Sequence, residues 1–253
     1  MGAHIFYLAV NSPALIAAGE TLKSRGYGVV DRPCDSVTDV ILPVPSLDGN
    51  GCIKGGGTLD ALLAQLPKHI TLLGGNLPPV PGYKTIDLLK DPIYLASNAS
   101  ITAYCALRLA MMELPVTLRR CPVLIVGWGR IGKCLASLLW ALDADITVAA
   151  RKEADRAMAH ALGYKTAIPS EFADDLNQYR LIFNTVPFPV INKEQASHCR
   201  DNCLKIDLAS VLGIDTPDVI WARGLPSKYA PESSGKLIAK TAIRLIGRKE
   251  PPQ

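Results

Sequence analysis

Short apolar runs alternate with amphipathic segments along the first part of the chain. The segment 12–26 has a serine cap, a proline at the first helical position and a closing glycine, and 58–66 is helical with Thr58 as its candidate cap. Continuous apolar strands separated by helices predict a parallel sheet covered on both faces. We therefore expect a flavodoxin-like domain over residues 1–97. The runs that predict its strands are HIFYLAV (4–10), YGVV (27–30), DVILPV (39–44) and HITLLGG (69–75).

The most specific local pattern is VLIVGWGRIG (123–132), an apolar run that opens into three spaced glycines and a helical segment. Gly127 allows a tight turn, Gly129 lets the backbone approach a pyrophosphate, and Gly132 lets the helix pack against the strand. The N-terminus of the helix adds free N–H groups and a partial positive charge. The pattern predicts a dinucleotide site, and a Rossmann-like domain without nucleotide is the alternative. The predicted cofactor-binding residues here are Gly127, Gly129, Arg130, Ile131 and Gly132.

The next strand, DITVAAR (145–151), bears on which nicotinamide cofactor binds. An NAD site usually has an acidic residue at the end of this strand for the ribose 2′-hydroxyl, whereas this strand ends in Arg151 and Lys152. Two cations suit a 2′-phosphate. We predict NADP or NADPH as the cofactor, with NAD as the alternative.

The remaining segments predict a two-domain α/β protein, with the flavodoxin-like sheet followed by a Rossmann doubly wound domain. A linker helix over 98–119 leads into the Rossmann domain, 120–232, whose later strands lie within 164–226. The last helix, 233–250, is expected to pack back onto the first domain, which places the active site in a cleft between the domains. The glycine-rich stretch 45–58 lacks a GK[ST] motif and predicts a loop or hairpin near that cleft.

Composition narrows the class of protein. The 253 residues carry a formal net charge of +4 without long basic runs, so nucleic acid is not an expected partner. Neither a secretion signal nor an apolar run long enough to span a bilayer is evident, and the 7 cysteines are scattered, so a cytoplasmic, non-membrane protein is expected. Cys199 and Cys203 match no zinc pattern, and no metal is predicted.

Several longer motifs resemble one family. The segments GWGRIG, ITVAAR, FNTVP, KIDLAS and GLPSKYAPESSG, together with ILPVPSLDGNGC, LPKHITLLGG and SNASIT before a helix, resemble the A subunits of dipicolinate synthase from endospore-forming bacteria. The resemblance covers nearly the whole chain. It implies a dehydrogenase-like oxidoreductase of sporulation that works with a flavoprotein-like B subunit. Together the two proteins oxidise a dihydrodipicolinate-type intermediate to pyridine-2,6-dicarboxylate, with hydride transfer to the nicotinamide cofactor.

This chain departs from the family pattern at two places. Tyr104 and Cys105 stand where the family has a Glu-Gly pair, and residues 211–214 read VLGI where it has Arg-Pro-Gly-Gly. Both places lie near the expected cleft. The fold is therefore implied more directly than the details of substrate binding.

The resemblance also implies roles for strand-end residues. Thr185, Val186 and Pro187 are expected at the ribose and nicotinamide side of the cofactor, with a plain strand-terminating turn as the alternative. Asp207 and Ser210 are candidates to contact the carboxamide or relay a proton, although Asp207 can instead cap a helix. Cations that hold the substrate carboxylates are also needed. The predicted catalytic residues are Asp207, Ser210 and Arg223, and the predicted substrate-binding residues are Gly75, Asn76, Asn98, Thr102, Lys228 and Ser233.

No histidine lies near these loops except the remote His198, and no residue is convincing as a general base. This argues against simple alcohol–ketone chemistry. Two alternatives remain open: an NADP-dependent dehydrogenase of another small carboxylate, and a nucleotide-binding structural or regulatory subunit. The sequence is also compatible with a homodimer.

Overall fold

The computed structural model describes residues 4–169, 171 and 173–247, which fall into two compact units. Unit 1 comprises Met1–Asn98 and Pro226–Gln253, and unit 2 comprises Ala99–Leu225. The boundaries differ from the predicted ones, because most of the expected linker belongs to unit 2 and the returning segment starts at Pro226 rather than at 233. The predicted end of the last helix, 248–250, lies outside the described residues.

The strands are short and the helices vary in length. The strands are β1 (Ile5–Leu8), β2 (Gly28–Val30), β3 (Asp39–Ile41), β4 (Thr71–Gly74), β5 (Lys84–Asp87), β6 (Pro122–Val126), β7 (Asp145–Ala149), β8 (Lys165–Ala167), β9 (Leu181–Asn184), β10 (Leu204–Asp207) and β11 (Ile220–Trp221). The helices are α1 (Pro13–Ser24), α2 (Leu59–Leu63), α3 (Pro92–Glu113), α4 (Arg130–Ala141), α5 (Glu153–Ala161), α6 (Lys193–Ser197), α7 (Leu225–Tyr229) and α8 (Pro231–Ile246). None of the helices in the described ranges is long and apolar enough to cross a membrane.

Unit 1 is built on a parallel sheet with the strand order β2-β1-β3-β4-β5. This order is that of flavodoxin-like folds, so the predicted fold class of the first domain is confirmed. The apolar pattern did not mark β5, because Ile86 is its one strongly apolar residue and Lys84 is exposed.

Helices α1 and α8 cover this sheet and pack closely against each other. Ser12 caps α1 by accepting a hydrogen bond from the N–H of Leu15. A Cβ at Gly235 of α8 would collide with the carbonyl oxygen of Ala14, so the two backbones approach more closely there than side chains permit. Ile238 and Ala242 of α8 are buried in one apolar cluster with Phe6 of β1.

Unit 2 contains a second parallel sheet, with the order β11-β10-β9-β6-β7-β8. Counted from β6 as its first strand, this is the 3-2-1-4-5-6 order of the Rossmann fold, and the predicted class is again confirmed. Val123 and Ile125 of β6 and Phe183 of β9 are completely buried. The strand order reverses between β6 and β9, and ligands of such sheets bind at the carboxyl end of that switch point.

Helix α3 starts earlier and ends earlier than the predicted linker helix 98–119. It begins at Pro92, whose fixed φ suits a first helical turn, and Asp91 precedes it and accepts a hydrogen bond from the N–H of Tyr94 at 2.7 Å. The SNASIT stretch therefore lies wholly inside the helix, as the predicted start at 98 implies for most of it, and not before it.

The glycine-rich stretch 45–58 adopts the hairpin alternative. Antiparallel bridges pair Leu47 with Ile53 and Cys52 with Thr58. The stretch thus folds back on itself between β3 and α2.

Candidate functional site

A cavity of about 410 Å³ opens in unit 2 at the carboxyl ends of β6, β7 and β9. It lies at the switch point of the sheet, where a dinucleotide is expected. The residues that line it are Val126, Gly127, Trp128, Gly129, Ala149, Ala150, Arg151, Lys152, Asp155, Pro169, Val186, Phe188, Pro189 and Val190.

The three glycines of the motif serve different purposes, and Gly127 and Gly129 line the cavity. Gly127 has a φ of +107°, and a Cβ there would collide with Thr185. A Cβ at Gly132 would collide with the carbonyl oxygen of Gly127. A Cβ at Gly129, in contrast, would meet no atom within 4 Å. The fold itself therefore requires Gly127 and Gly132, whereas the space beside Gly129 is open to a ligand.

The N-terminus of α4 faces the same region. Gly129 is its N-cap residue, and no side chain caps the first turn. No acidic residue occurs in that turn, and Arg130 is exposed. Uncapped N–H groups beside open space fit a bound phosphate.

The loop between β7 and α5 brings the two predicted cations to the cavity. Arg151 and Lys152 both line it and both are exposed. Arg156, which the sequence interpretation missed, donates from Nη1 to the carbonyl oxygens of Ala150 and Arg151, at 2.8 Å each. The guanidinium of Arg156 thereby holds the backbone that carries Arg151. Asp155 lines the cavity too, so a carboxylate lies in the same region.

The end of β9 is fixed by internal hydrogen bonds. Asn184 is fully buried and bonds to both the N–H and the carbonyl of Val186, at 2.9 and 3.0 Å. The hydroxyl of Thr185 donates to the carbonyl of Val126 at 3.0 Å. Val186 lines the cavity, whereas Thr185 and Pro187 are not among the lining residues. Phe188, another residue that was not predicted, lines the cavity with 66% of its surface exposed.

Asp207 is placed differently from its predicted catalytic role. It is fully buried, and its carboxylate accepts hydrogen bonds from the N–H groups of Ala209, Gly213 and Ile214 and from Asn184. Its oxygens are thus occupied by N–H groups of the loop after β10, which is not a helix. The geometry supports a positioning role, because no oxygen of Asp207 is exposed for a substrate.

The other predicted catalytic residues lie near that loop. Ser210 is exposed within it. The guanidinium of Arg223 stacks on the ring of Trp221 at 5.0 Å, and the indole N–H of Trp221 donates to the carbonyl of Ala209 at 3.0 Å. Arg223 is therefore held at the carboxyl edge of β10 and β11 with its charge exposed to solvent.

Two predicted substrate residues in unit 1 use their backbone groups internally. The N–H of Gly75 donates to the hydroxyl of Ser46 at 2.9 Å, and its carbonyl accepts from the N–H of Ser46 at 2.8 Å. The N–H of Asn76 donates to Asp87 at 2.9 Å. These two N–H groups are therefore occupied within unit 1, whereas the side chain of Asn76 is exposed.

The remaining predicted substrate residues are divided between the units. Lys228 and Ser233 are exposed in unit 1, and the ammonium of Lys228 lies 4.9 Å from the ring of its neighbour Tyr229. Asn98 in unit 1 and Thr102 in unit 2 lie one helical turn apart on α3, and both engage in contacts with other residues.

Trp128 occupies the first variable position of the glycine motif and is 7% exposed. The edge of its ring packs against Tyr164 at 5.7 Å between centroids, and Lys133 lies 5.8 Å from its centroid. Burial raises the pKa of Tyr164 above its usual range. The indole N–H of Trp128 is buried without a hydrogen-bond partner among the described residues. The position of Trp128 between Gly127 and Gly129 is the feature of the sequence that could have identified it as a residue of the site.

Known proteins resemble this chain in sequence and in fold. A family model of NAD(P)-binding domains matches residues 114–211. The A subunit of dipicolinate synthase from Bacillus subtilis (strain 168) is 23% identical over 235 residues, which cover 85% of this chain and 79% of that protein. The crystal structure of the corresponding A subunit from Bacillus halodurans superposes with a TM-score of 0.85 at 19% identity, over 98% of this chain and 99% of that one. A transhydrogenase from Sinorhizobium meliloti superposes with a TM-score of 0.72 at 15% identity, over 96% and 93% of the two chains.

These similarities bear directly on the sequence predictions. The resemblance to dipicolinate synthase A subunits is confirmed. The match of residues 114–211 to the NAD(P)-binding family model supports a nicotinamide dinucleotide cofactor. The family model and the sequence similarity support the prediction of an NAD(P)-dependent oxidoreductase, and the structural likenesses support the fold.

Proposed function

We propose that this chain is the NADP-dependent subunit of an oxidoreductase that converts a dihydrodipicolinate-type intermediate to pyridine-2,6-dicarboxylate together with a B subunit. The observation that carries the proposal is the open space at Gly129 beside an uncapped helix, with Arg151 and Lys152 in the same cavity. The similarity to the A subunit of a dipicolinate synthase over 85% of the chain supports the choice of substrate and partner.

The chemistry of the cavity fits a phosphorylated dinucleotide. The backbone at Gly129 and the first turn of α4 would hold the pyrophosphate, and Arg151 and Lys152 would hold a 2′-phosphate. Arg156 positions this loop through the carbonyls that it binds. When bound, the cofactor supplies a hydride acceptor for the oxidation.

The chain's own residues then have mainly to position the substrate and exclude water. The side chains of Val186 and Phe188 provide apolar walls at the end of β9. The exposed guanidinium of Arg223 suits a substrate carboxylate, because its planar fork can bind both oxygens. Formation of an aromatic ring drives the reaction, so orientation of the substrate accounts for most of what the protein must provide.

The alternative of a dehydrogenase for another small carboxylate is less well supported. All 4 histidines of the chain lie in the described ranges, and none of them lines the cavity. The usual histidine acid–base group of alcohol–ketone chemistry therefore has no counterpart beside the candidate cofactor.

Reconstitution tests the proposed reaction. The purified chain and B subunit, supplied with NADP and substrate generated enzymatically in the same vessel, should develop the near-ultraviolet absorbance of the pyridine product. Reduction of the cofactor should rise in parallel. If a folded, NADP-binding chain yields no product with its partner, the proposed reaction is wrong. Screening small hydroxy and imino acids would then test the alternative of a dehydrogenase for another small carboxylate. Unchanged activity of an Arg223→Ala complex would favour a purely regulatory role.

A further inference from the structure

Two thiols lie close together in unit 2, where the chain turns from α6 into β10. Cys199 is half-buried and Cys203 is buried, and both belong to the apolar cluster that contains Ile182. The N–H of Cys203 donates to the carbonyl of Arg200 at 3.0 Å, which closes a tight turn between the two cysteines. The Cys203 thiol donates to the carbonyl of Leu204 at 3.9 Å. Neither residue lines the candidate cofactor cavity.

A buried cation accompanies the pair. Lys205 lies on β10 and is only 4% exposed, and its ammonium donates to the carbonyl of Cys203 at 3.2 Å and to Asp218 at 2.7 Å. Asp218 is 57% exposed, so its charge is partly solvated while that of Lys205 is not. A buried ammonium near a thiol favours the thiolate, which is the reactive form of cysteine.

The two thiols differ in acidity. The neighbouring Cys203 thiol and the charge of Lys205 lower the pKa of Cys199 to about 7, although burial opposes them. The neighbouring Cys199 thiol and burial raise the pKa of Cys203. The other charged groups that act on Cys199 are Asp218, which opposes the thiolate, and His198, which favours it when protonated.

We propose that Cys199 and Cys203 form a redox-active dithiol that reduces low-molecular-weight disulfides. The thiolate of half-buried Cys199 attacks one sulfur of the disulfide, forms a mixed disulfide and releases the first thiolate. Cys203 loses its proton to solvent and attacks Cys199 in the mixed disulfide, which releases the second thiolate. The protein pair is oxidised by two electrons, and the small disulfide is reduced to two thiols. The turn at Arg200 keeps Cys203 near Cys199, which favours the intramolecular second step.

Oxidised glutathione is a suitable probe, and tryptic mapping gives a specific readout. Trypsin cleaves after Lys193, Arg200 and Lys205, so the two cysteines fall in the separate peptides 194–200 and 201–205. After treatment of the full chain with oxidised glutathione and blocking of free thiols, the two peptides should appear joined by a disulfide. In the Cys203→Ser variant, peptide 194–200 should instead carry one glutathionyl group.

A rate measurement tests the part played by the cation. Glutathionylation of Cys199 in the Cys203→Ser, Lys205→Met double variant should be about tenfold slower at neutral pH than in Cys203→Ser, and its pH profile should shift upward, as expected for a raised pKa. Cys34 is the internal reference, because its thiol bonds to Ser36 and should react equally in both variants.

Two results would overturn the proposal. One is the absence of the joined peptides in a folded protein whose Cys34 has reacted. The other is a Cys199 that reacts no faster at neutral pH than Cys52, another half-buried thiol of the chain.

Discussion

At the scale of single residues, we expect Gly129 to be needed for ligand binding and Gly132 for folding. Gly129 has a φ of −79°, which any residue adopts, and a Cβ there would meet no atom. We therefore expect Gly129→Ala to leave the free energy of unfolding unchanged and to weaken NADPH binding by about tenfold or more, which is about 1.4 kcal/mol. Calorimetric titration and denaturant unfolding of the same protein measure the two quantities.

Gly132→Ala is the matched control for that experiment. Its Cβ would collide with the backbone of Gly127, and backbone must shift to accommodate it. Overpacking of this kind costs about 1–3 kcal/mol of stability. Equal loss of stability in both variants, or unchanged NADPH affinity in Gly129→Ala, would contradict the division of roles.

Arg151 is expected to distinguish the two nicotinamide cofactors. A charge-assisted hydrogen bond contributes about 1.5–3 kcal/mol, and exposure of Arg151 places its effect near the lower limit. Arg151→Asp should therefore weaken NADPH binding by about tenfold while NADH binding changes little. Lys193→Asp alters an exposed cation of α6 outside the cavity and serves as the control. Equal loss of affinity for both cofactors would exclude Arg151 as the phosphate ligand.

At the scale of secondary-structure elements, one ion pair joins α8 to the start of α3. Arg244 binds Asp91 through both guanidinium nitrogens, at 2.5 and 3.1 Å, and the Asp91 side chain is only 6% exposed. Removing the guanidinium leaves the buried Asp91 carboxylate without its cationic partner, which is costly even though the N–H of Tyr94 still donates to it. We expect Arg244→Leu to lower the free energy of unfolding by about 3–5 kcal/mol.

Chemical denaturation measures this effect, with Lys240→Leu as the control. Lys240 is an exposed cation on the same helix, so its replacement should leave stability nearly unchanged. NADPH affinity should be retained in both variants, because both residues belong to unit 1 and the candidate cavity lies in unit 2. Equal unfolding midpoints for the two variants would show that the ion pair does not stabilise α8.

The same elements show which parts of the fold can be predicted from local sequence patterns. Strand β6 is apolar throughout and β9 is apolar up to its last residue, and both were predicted, whereas β5 is largely polar and was not. The start of α3 was missed, although Pro92 marks it locally. Asp91, which precedes the helix, pairs with Arg244, and the two residues are 153 positions apart, a separation that no local pattern reveals.

The candidate site shows a similar division. Gly127, Gly129 and the two cations after β7 were predicted from their spacing, and the structure brings them into one cavity. The hydrogen bonds that occupy Gly75 and Asp207 come from residues distant in the chain or from the fold of a loop. A sequence marks these positions as strand ends but does not show whether their polar groups are free. Phe188 directly follows the FNTVP motif, so attention to apolar residues after a strand end would have found it.

At the scale of the whole molecule, cofactor binding should leave a localised signature. The net charge of +4 favours association with an anionic dinucleotide, but only unit 2 contains the candidate cavity. Hydrogen–deuterium exchange of the full chain with and without NADPH should therefore show its strongest protection in three separated segments. These segments are 127–133 in the glycine loop, 150–156 after β7 and 186–190 after β9.

The expected pattern follows from the hydrogen bonding of each segment. The first turn of α4 has N–H groups that no side chain caps, and a bound phosphate would accept from them and slow their exchange. Strands β6 and β9 are already buried and paired, so their amides should change little. NADH should protect the glycine loop but leave 150–156 less protected, because it lacks the 2′-phosphate. Protection that spares the glycine loop, or that is the same for both cofactors at 150–156, would contradict the assigned binding mode.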